Sequence, residues 1–145
     1  MENQSPLSPT PLLDRQLAFV GLRLIAGINM LLHGLVRLPD LEGFASGLVS
    51  AFEPTILPEL MVRPFAYVLT FAEAAVGLLL IVGWKVRWTL VGCIAIMAAL
   101  VFGTALRQEW ATLSTQMIYA LVFFALLMTR GYDRWGLDGR TDYRS

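Results

Sequence analysis

Four stretches of this chain are each long and apolar enough to cross a lipid bilayer, and no other feature limits its fold so tightly. They are residues 17–38 (LAFVGLRLIAGINMLLHGLVRL), 65–83 (FAYVLTFAEAAVGLLLIVG), 88–106 (WTLVGCIAIMAALVFGTAL) and 111–129 (ATLSTQMIYALVFFALLMT). At a rise of about 1.5 Å per residue, roughly 19 helical residues cover roughly 28 Å, close to the hydrocarbon thickness of a membrane. Composition points the same way. The chain is 57% hydrophobic and 15% charged, whereas a soluble domain carries about 25% charged residues. The expected fold is all-α, one domain, a four-transmembrane-helix bundle. Residues 1–16 are expected as a flexible tail, 17–130 as the membrane domain and 131–145 as a solvated cytoplasmic tail.

The first span is too long for a signal peptide, carries Arg23 at its middle and lacks a small-residue cleavage site after it, so it reads as a retained helix. Cys93 is the single cysteine. It excludes a disulfide framework or a CxxC redox centre within one chain and reads as a small packing residue. With four spans, both termini and the 84–87 turn share one side. That side holds Arg15, Lys85, Arg87, Arg130, Arg134, Arg140 and Arg144, against Arg37, Arg63 and Arg107 on the other. The bias predicts both termini in the cytoplasm of a multi-pass protein of the plasma membrane. Formal net charge is zero and no basic footprint for nucleic acid is visible.

Residues 39–64 form the one long connection, punctuated by Pro39, Pro54, Pro58 and Pro64. Within it, Leu41, Phe44, Leu48 and Phe52 recur at spacings of three and four, which predicts a short amphipathic helix in the first loop. Trp84, Trp88, Trp110, Tyr132 and Trp135 fall at the predicted span ends, as interfacial aromatics do.

Charged side chains inside the first two spans mark the candidate site. An ionised group at the centre of a membrane helix costs roughly 2.5–3.5 kcal/mol on insertion scales, so it turns inward to a partner or ligand. At about 100° per residue, Arg23, Gly27, Met30, Gly34 and Arg37 form one stripe, with Asn29 and His33 beside it. The glycines leave space for a neighbouring backbone or a ligand. Arg37 and Arg23 can alternatively snorkel to the two interfaces. Glu73 lies deep in the second span, where an isolated carboxylate protonates or pairs. In an antiparallel arrangement it falls near residues 27–31, which predicts an Arg23–Glu73 ion pair. Gln116 and Tyr119 of the fourth span would complete a polar floor. The ligand-binding set is thus Arg23, Gly27, Asn29, His33, Gly34, Glu73, Gln116 and Tyr119, with no catalytic residue assigned. His33 is the only histidine, which excludes a bis-histidine haem or a multi-histidine metal site within one chain.

These residues carry a family resemblance. The spacing R-x3-G-x5-H-G-x2-R from Arg23 to Arg37, the run E-x3-G-L-L-L-x2-G-x3-R from Glu73 to Arg87 and the ending RGYDRWGLDGR with Gly136, Leu137 and Asp138 resemble the DoxX family of small four-helix membrane proteins. The resemblance covers about residues 15–140. It implies a subunit of a quinone-linked membrane oxidoreductase, such as thiosulfate:quinone oxidoreductase, or of a complex handling thiol stress. On that reading no cofactor is covalently bound and a quinone is the expected ligand. Arg23 and His33 would donate to its carbonyl oxygens and Glu73 would relay a proton. Lipids, other membrane subunits or further copies of the chain are the expected partners. A structural subunit filling a gap in a larger membrane assembly is the alternative, and a small-solute transporter is a third.

Overall fold

The computed structural model describes residues 9–138, leaving Arg140, Asp142 and Arg144 of the expected tail outside the described residues. It is all-helical: α1 Pro9–Leu35, α2 Leu41–Phe52, α3 Glu59–Val82, α4 Val86–Leu106 and α5 Trp110–Met128. Short 3-10 turns occupy Leu38–Asp40 and Arg130–Tyr132. Four of the helices are long and apolar enough to cross a membrane. α2 is the amphipathic helix expected between the first two spans.

Two boundaries differ from expectation. α1 starts at Pro9 rather than at residue 17. Prolines near a helix start lose only N–H groups that have no intrahelical acceptor, so Pro9 and Pro11 are compatible with a first turn. α3 starts at Glu59 and contains Pro64 in its second turn. One ladder hydrogen bond is lost there, and the helix continues because its apolar stripe is already docked.

Burial follows helical periodicity. On α1 the covered residues are Phe19, Arg23, Ala26, Gly27, Met30 and Gly34; on α3 they are Val62, Ala66, Leu69, Thr70, Glu73, Gly77 and Leu80. α1 packs chiefly on α3, α3 on α4, and α4 on α5, while α5 touches α1 only sparsely. The centre is filled by Phe19, Met30, Leu80, Leu90, Cys93 and Phe123, among others. Ile25, Val68, Phe71 and Leu121 point outward and are more than half exposed, as a lipid-facing surface requires. Four tryptophans, Trp84, Trp88, Trp110 and Trp135, are exposed at the ends of the bundle.

α2 is held to α3 by polar contacts. Asp40 caps it by accepting from the Gly43 amide at 3.0 Å. Arg63 donates to Glu42 and Glu59, and the Tyr67 hydroxyl donates to Glu42. Phe52, at its end, packs toward Gly103, where an added Cβ would come within 2.9 Å of the ring. α2 is thus held along its length against the bundle end opposite the termini.

Candidate functional site

The register of α1 against α3 decides which charges meet. A Cβ on Gly27 would lie 2.9 Å from Ile81 Cγ1 and 3.0 Å from the Gly77 carbonyl oxygen; one on Gly34 would lie 2.5 Å from the Thr70 carbonyl oxygen and 2.6 Å from the Ala74 nitrogen. Gly77 in turn meets the Leu31 backbone, whose Cα would be 2.6 Å from an added Cβ. The two backbones thus touch at three glycines, the small-residue packing that membrane helices use. Gly27 and Gly34 give their space to α3 and leave none for a flat ring, which corrects the expectation that they line a ligand pocket.

This register slides α3 by about one helical turn, roughly 5 Å, relative to a pairing of the span centres. Glu73 therefore meets Arg37, to which it is hydrogen-bonded as an ion pair. The Glu73 side chain is 2% exposed and that of Arg37 22%. The expected Arg23–Glu73 pair is not formed. Arg23 and Arg37 are 14 residues apart on one helix, about 21 Å, and the carboxylate reaches only the second. Arg37 also stacks on the Phe44 ring of α2, with its guanidinium carbon 4.4 Å from the centroid.

Beside this pair lies a cavity of about 240 Å³. α1 contributes Asn29, Met30 and His33, the turn after it Arg37, α3 Glu73, α4 Met97 and Leu100, and α5 Thr112, Thr115, Gln116 and Tyr119. Of the expected site residues, Asn29, His33, Glu73, Gln116 and Tyr119 come together here, while Arg23, Gly27 and Gly34 do not line it. Gln116 Nε2 donates to Thr104 Oγ1 at 2.9 Å, and its Oε1 is buried with no hydrogen-bond partner among the described residues. A buried acceptor of this kind is costly unless something donates to it. Thr112, Thr115, Met97 and Leu100 were missed in the sequence. Thr112, Thr115, Gln116 and Tyr119 recur at spacings of three, one and three, a helical face that marks them once α5 is placed.

Arg23 belongs to a second polar group, at the end that carries the termini. Its side chain is 2% exposed and Nη1 donates to the Leu80 carbonyl at 2.7 Å. Nε lies 4.0 Å from Asp133 Oδ1, and neither Nε nor the Asp133 oxygens make a hydrogen bond of good geometry among the described residues. Burial pushes the Asp133 carboxyl above its usual range, against the pull of the Arg23 guanidinium and of the Gly136 and Trp135 amides. Asp138 accepts from the Lys85 and Val86 amides at 2.9 and 2.8 Å, capping α4, and its own amide donates to the Gly83 carbonyl at 3.1 Å. Gly83 ends α3 at φ +71°, and a Cβ there would meet Arg23 and, at 2.6 Å, the Gly136 Cα. Residues 130–138 thus fold back over α1, α3 and α4, which corrects the reading of this segment as a solvated tail. Asp133 is drawn inside because it faces Arg23, and Asp138 because α4 begins with free amides.

Compared with known families, residues 15–117 match the family described as methylamine utilisation protein MauE. The chain belongs to the MauE family. The match spans more than half of the chain and overturns the resemblance to DoxX. The MauE match runs from within α1 through α4 and the first part of α5, hence over every residue lining the cavity except Tyr119. No curated protein and no solved structure matches the chain.

Proposed function

We propose that this MauE-family chain is a membrane subunit serving an amine-oxidising redox system and that its cleft holds the headgroup of a quinone. The family's name supplies the amine. Oxidation of a primary amine releases two electrons, and a quinone is a carrier that accepts two electrons and two protons within the bilayer. The observation that carries the reading is the Arg37–Glu73 pair set on the wall of a membrane-depth cavity, beside the unpartnered Gln116 oxygen.

The residues fit such a headgroup. Ligand pockets for whole drug-sized molecules run to about 300–1,000 Å³, so a cavity of about 240 Å³ suits one substituted ring rather than a ring with its chain. Arg37, Asn29, His33 and Tyr119 offer N–H and O–H donors for two carbonyl oxygens. Met30, Met97 and Leu100 supply apolar walls for the ring faces. Glu73 and His33 are groups that take and release protons, and Gln116 Oε1 accepts from a hydroxyl. Arg23 has no part in this binding.

Photolabelling of the purified chain with a photo-reactive quinone analogue tests the proposal. Cross-links are expected within residues 29–37 or 112–119. They should fall in Asn29→Leu and in the double variant Arg37→Leu/Glu73→Leu, which removes both charges together. Absent labelling, or labelling that neither change alters, favours a purely structural subunit whose polar residues satisfy one another.

A further inference from the structure

A second cavity, of about 380 Å³, adjoins the first and is lined by Asn29, Leu32, His33, Val36 and Arg37. The two share Asn29, His33 and Arg37. The outer one then runs onto Leu32 and Val36, which are 51% and 71% exposed on the lipid-facing side of α1. The two recesses therefore lie on either side of the same three polar side chains, and the outer one extends onto exposed apolar ones.

Toward the termini, Met30 and Met97 form the floor, and the filled core of Leu80, Leu90, Cys93 and Phe123 lies beyond them. Toward the opposite surface, Phe44 of α2 covers Arg37. The side between α1 and α5 stays open because α5 packs on α4 and barely meets α1.

We infer that the cleft is loaded sideways from the bilayer, through the seam between α1 and α5, by an amphiphile whose apolar chain lies over Leu32 and Val36. This rests on the headgroup reading above. An amphiphile already in the leaflet meets the sparsely packed α1–α5 side directly, without passing Phe44 or the core. Its headgroup exchanges lipid contact for Asn29, His33 and Arg37, and its chain keeps an apolar surface throughout. The floor also makes the site one-sided: the described chain offers no polar route from the cleft to the end that carries the termini.

The test uses the full chain in lipid nanodiscs with two photo-reactive quinone analogues, one bearing a ten-carbon chain and one without it. Leu32→Trp and Val36→Trp place bulk at the mouth on exposed positions, and Ile118→Trp does so on an exposed position of α5 outside both cavities. Half-saturation for the chain-bearing analogue should rise about fivefold, or about 1 kcal/mol, in Leu32→Trp and Val36→Trp. It should stay unchanged in Ile118→Trp, and the chainless analogue should be indifferent to all three. If the chain-bearing analogue still labels residues 29–37 or 112–119 but ignores both mouth variants, the sideways route is overturned and the headgroup site stands. Equal weakening of both analogues overturns the assignment of the chain to Leu32 and Val36. If neither analogue labels the unmodified protein, the headgroup reading fails and the route falls with it.

Discussion

At the scale of single residues, the distinction that matters is which arginine answers Glu73. A lone buried carboxylate or guanidinium is far costlier than a pair, so removing one partner exposes the identity of the other. Glu73→Gln should destabilise the protein in detergent by about 1–3 kcal/mol, below the cost for a fully buried pair because Arg37 retains some exposure. Arg37→Gln/Glu73→Gln should then lose less than the two single effects combined, with a coupling of about 0.5–3 kcal/mol. Arg23→Gln/Glu73→Gln should be additive within error. Coupling of Glu73 to Arg23 in a thermal or denaturant series contradicts the register described above. The sequence placed Glu73, Asn29 and His33 at the site because polarity inside a span is a local property. It did not reveal Glu73's partner, because the partner depends on a crossing contact of Gly34 with Thr70 and Ala74 that no single segment encodes.

Among the elements, the four spans and α2 were legible because each carries its own hydrophobic period or length. Their junctions were less so. Pro64 looks like a break and is tolerated, and Asp133 and Asp138 look like solvated charges until α4's free amides and Arg23 are placed beside them. The α1–α3 crossing gives a direct check. Gly34→Ala and Gly77→Ala push a methyl into the neighbouring backbone and should each cost about 1–3 kcal/mol by overpacking. Gly21→Ala meets nothing within 4 Å and should be neutral or slightly stabilising through helix propensity. Equal behaviour of the three in a thermal-shift series counts against the crossing. The fold-back of residues 130–138 should depend on pH. Its folded Asp133 carboxyl titrates above the ordinary value of 3.8, so the docked state binds the proton more tightly than the undocked one. Docking is then strongest at low pH and weakens as pH rises from the ordinary value through the raised one. Hydrogen exchange of the Lys85 and Val86 amides should slow on acidification beyond its intrinsic chemical dependence, and Asp133→Asn should abolish that extra slowing. An extra slowing that survives the substitution assigns it to another group.

For the whole molecule, the open question is which leaflet the cleft faces. The start of α1, the α3–α4 turn and the segment after α5 meet at one end, tied by Arg15 to the Tyr132 hydroxyl at 3.0 Å and by Asp138 to the Lys85 amide. The cavity, Arg37 and α2 occupy the other end. Among the described residues outside the bundle core, Arg15, Lys85, Arg87, Arg130 and Arg134 lie at the first end against Arg37, Arg63 and Arg107 at the other, and cytoplasmic loops carry such an excess. Both termini are therefore expected in the cytoplasm, an orientation that turns the cleft toward the outer leaflet. In a Cys93→Ser background, Ile56→Cys lies in the α2–α3 connection at 85% exposure. It should react with a membrane-impermeant maleimide on intact cells, while a reporter active only in the cytoplasm should give signal when fused to the C-terminus. Silence from Ile56→Cys together with signal from an externally active C-terminal reporter inverts the protein and assigns the cleft to the cytoplasmic leaflet. The bundle, the Arg37–Glu73 pair and the cleft beside α1 and α5 are the same in either orientation; only the leaflet that the cleft faces changes.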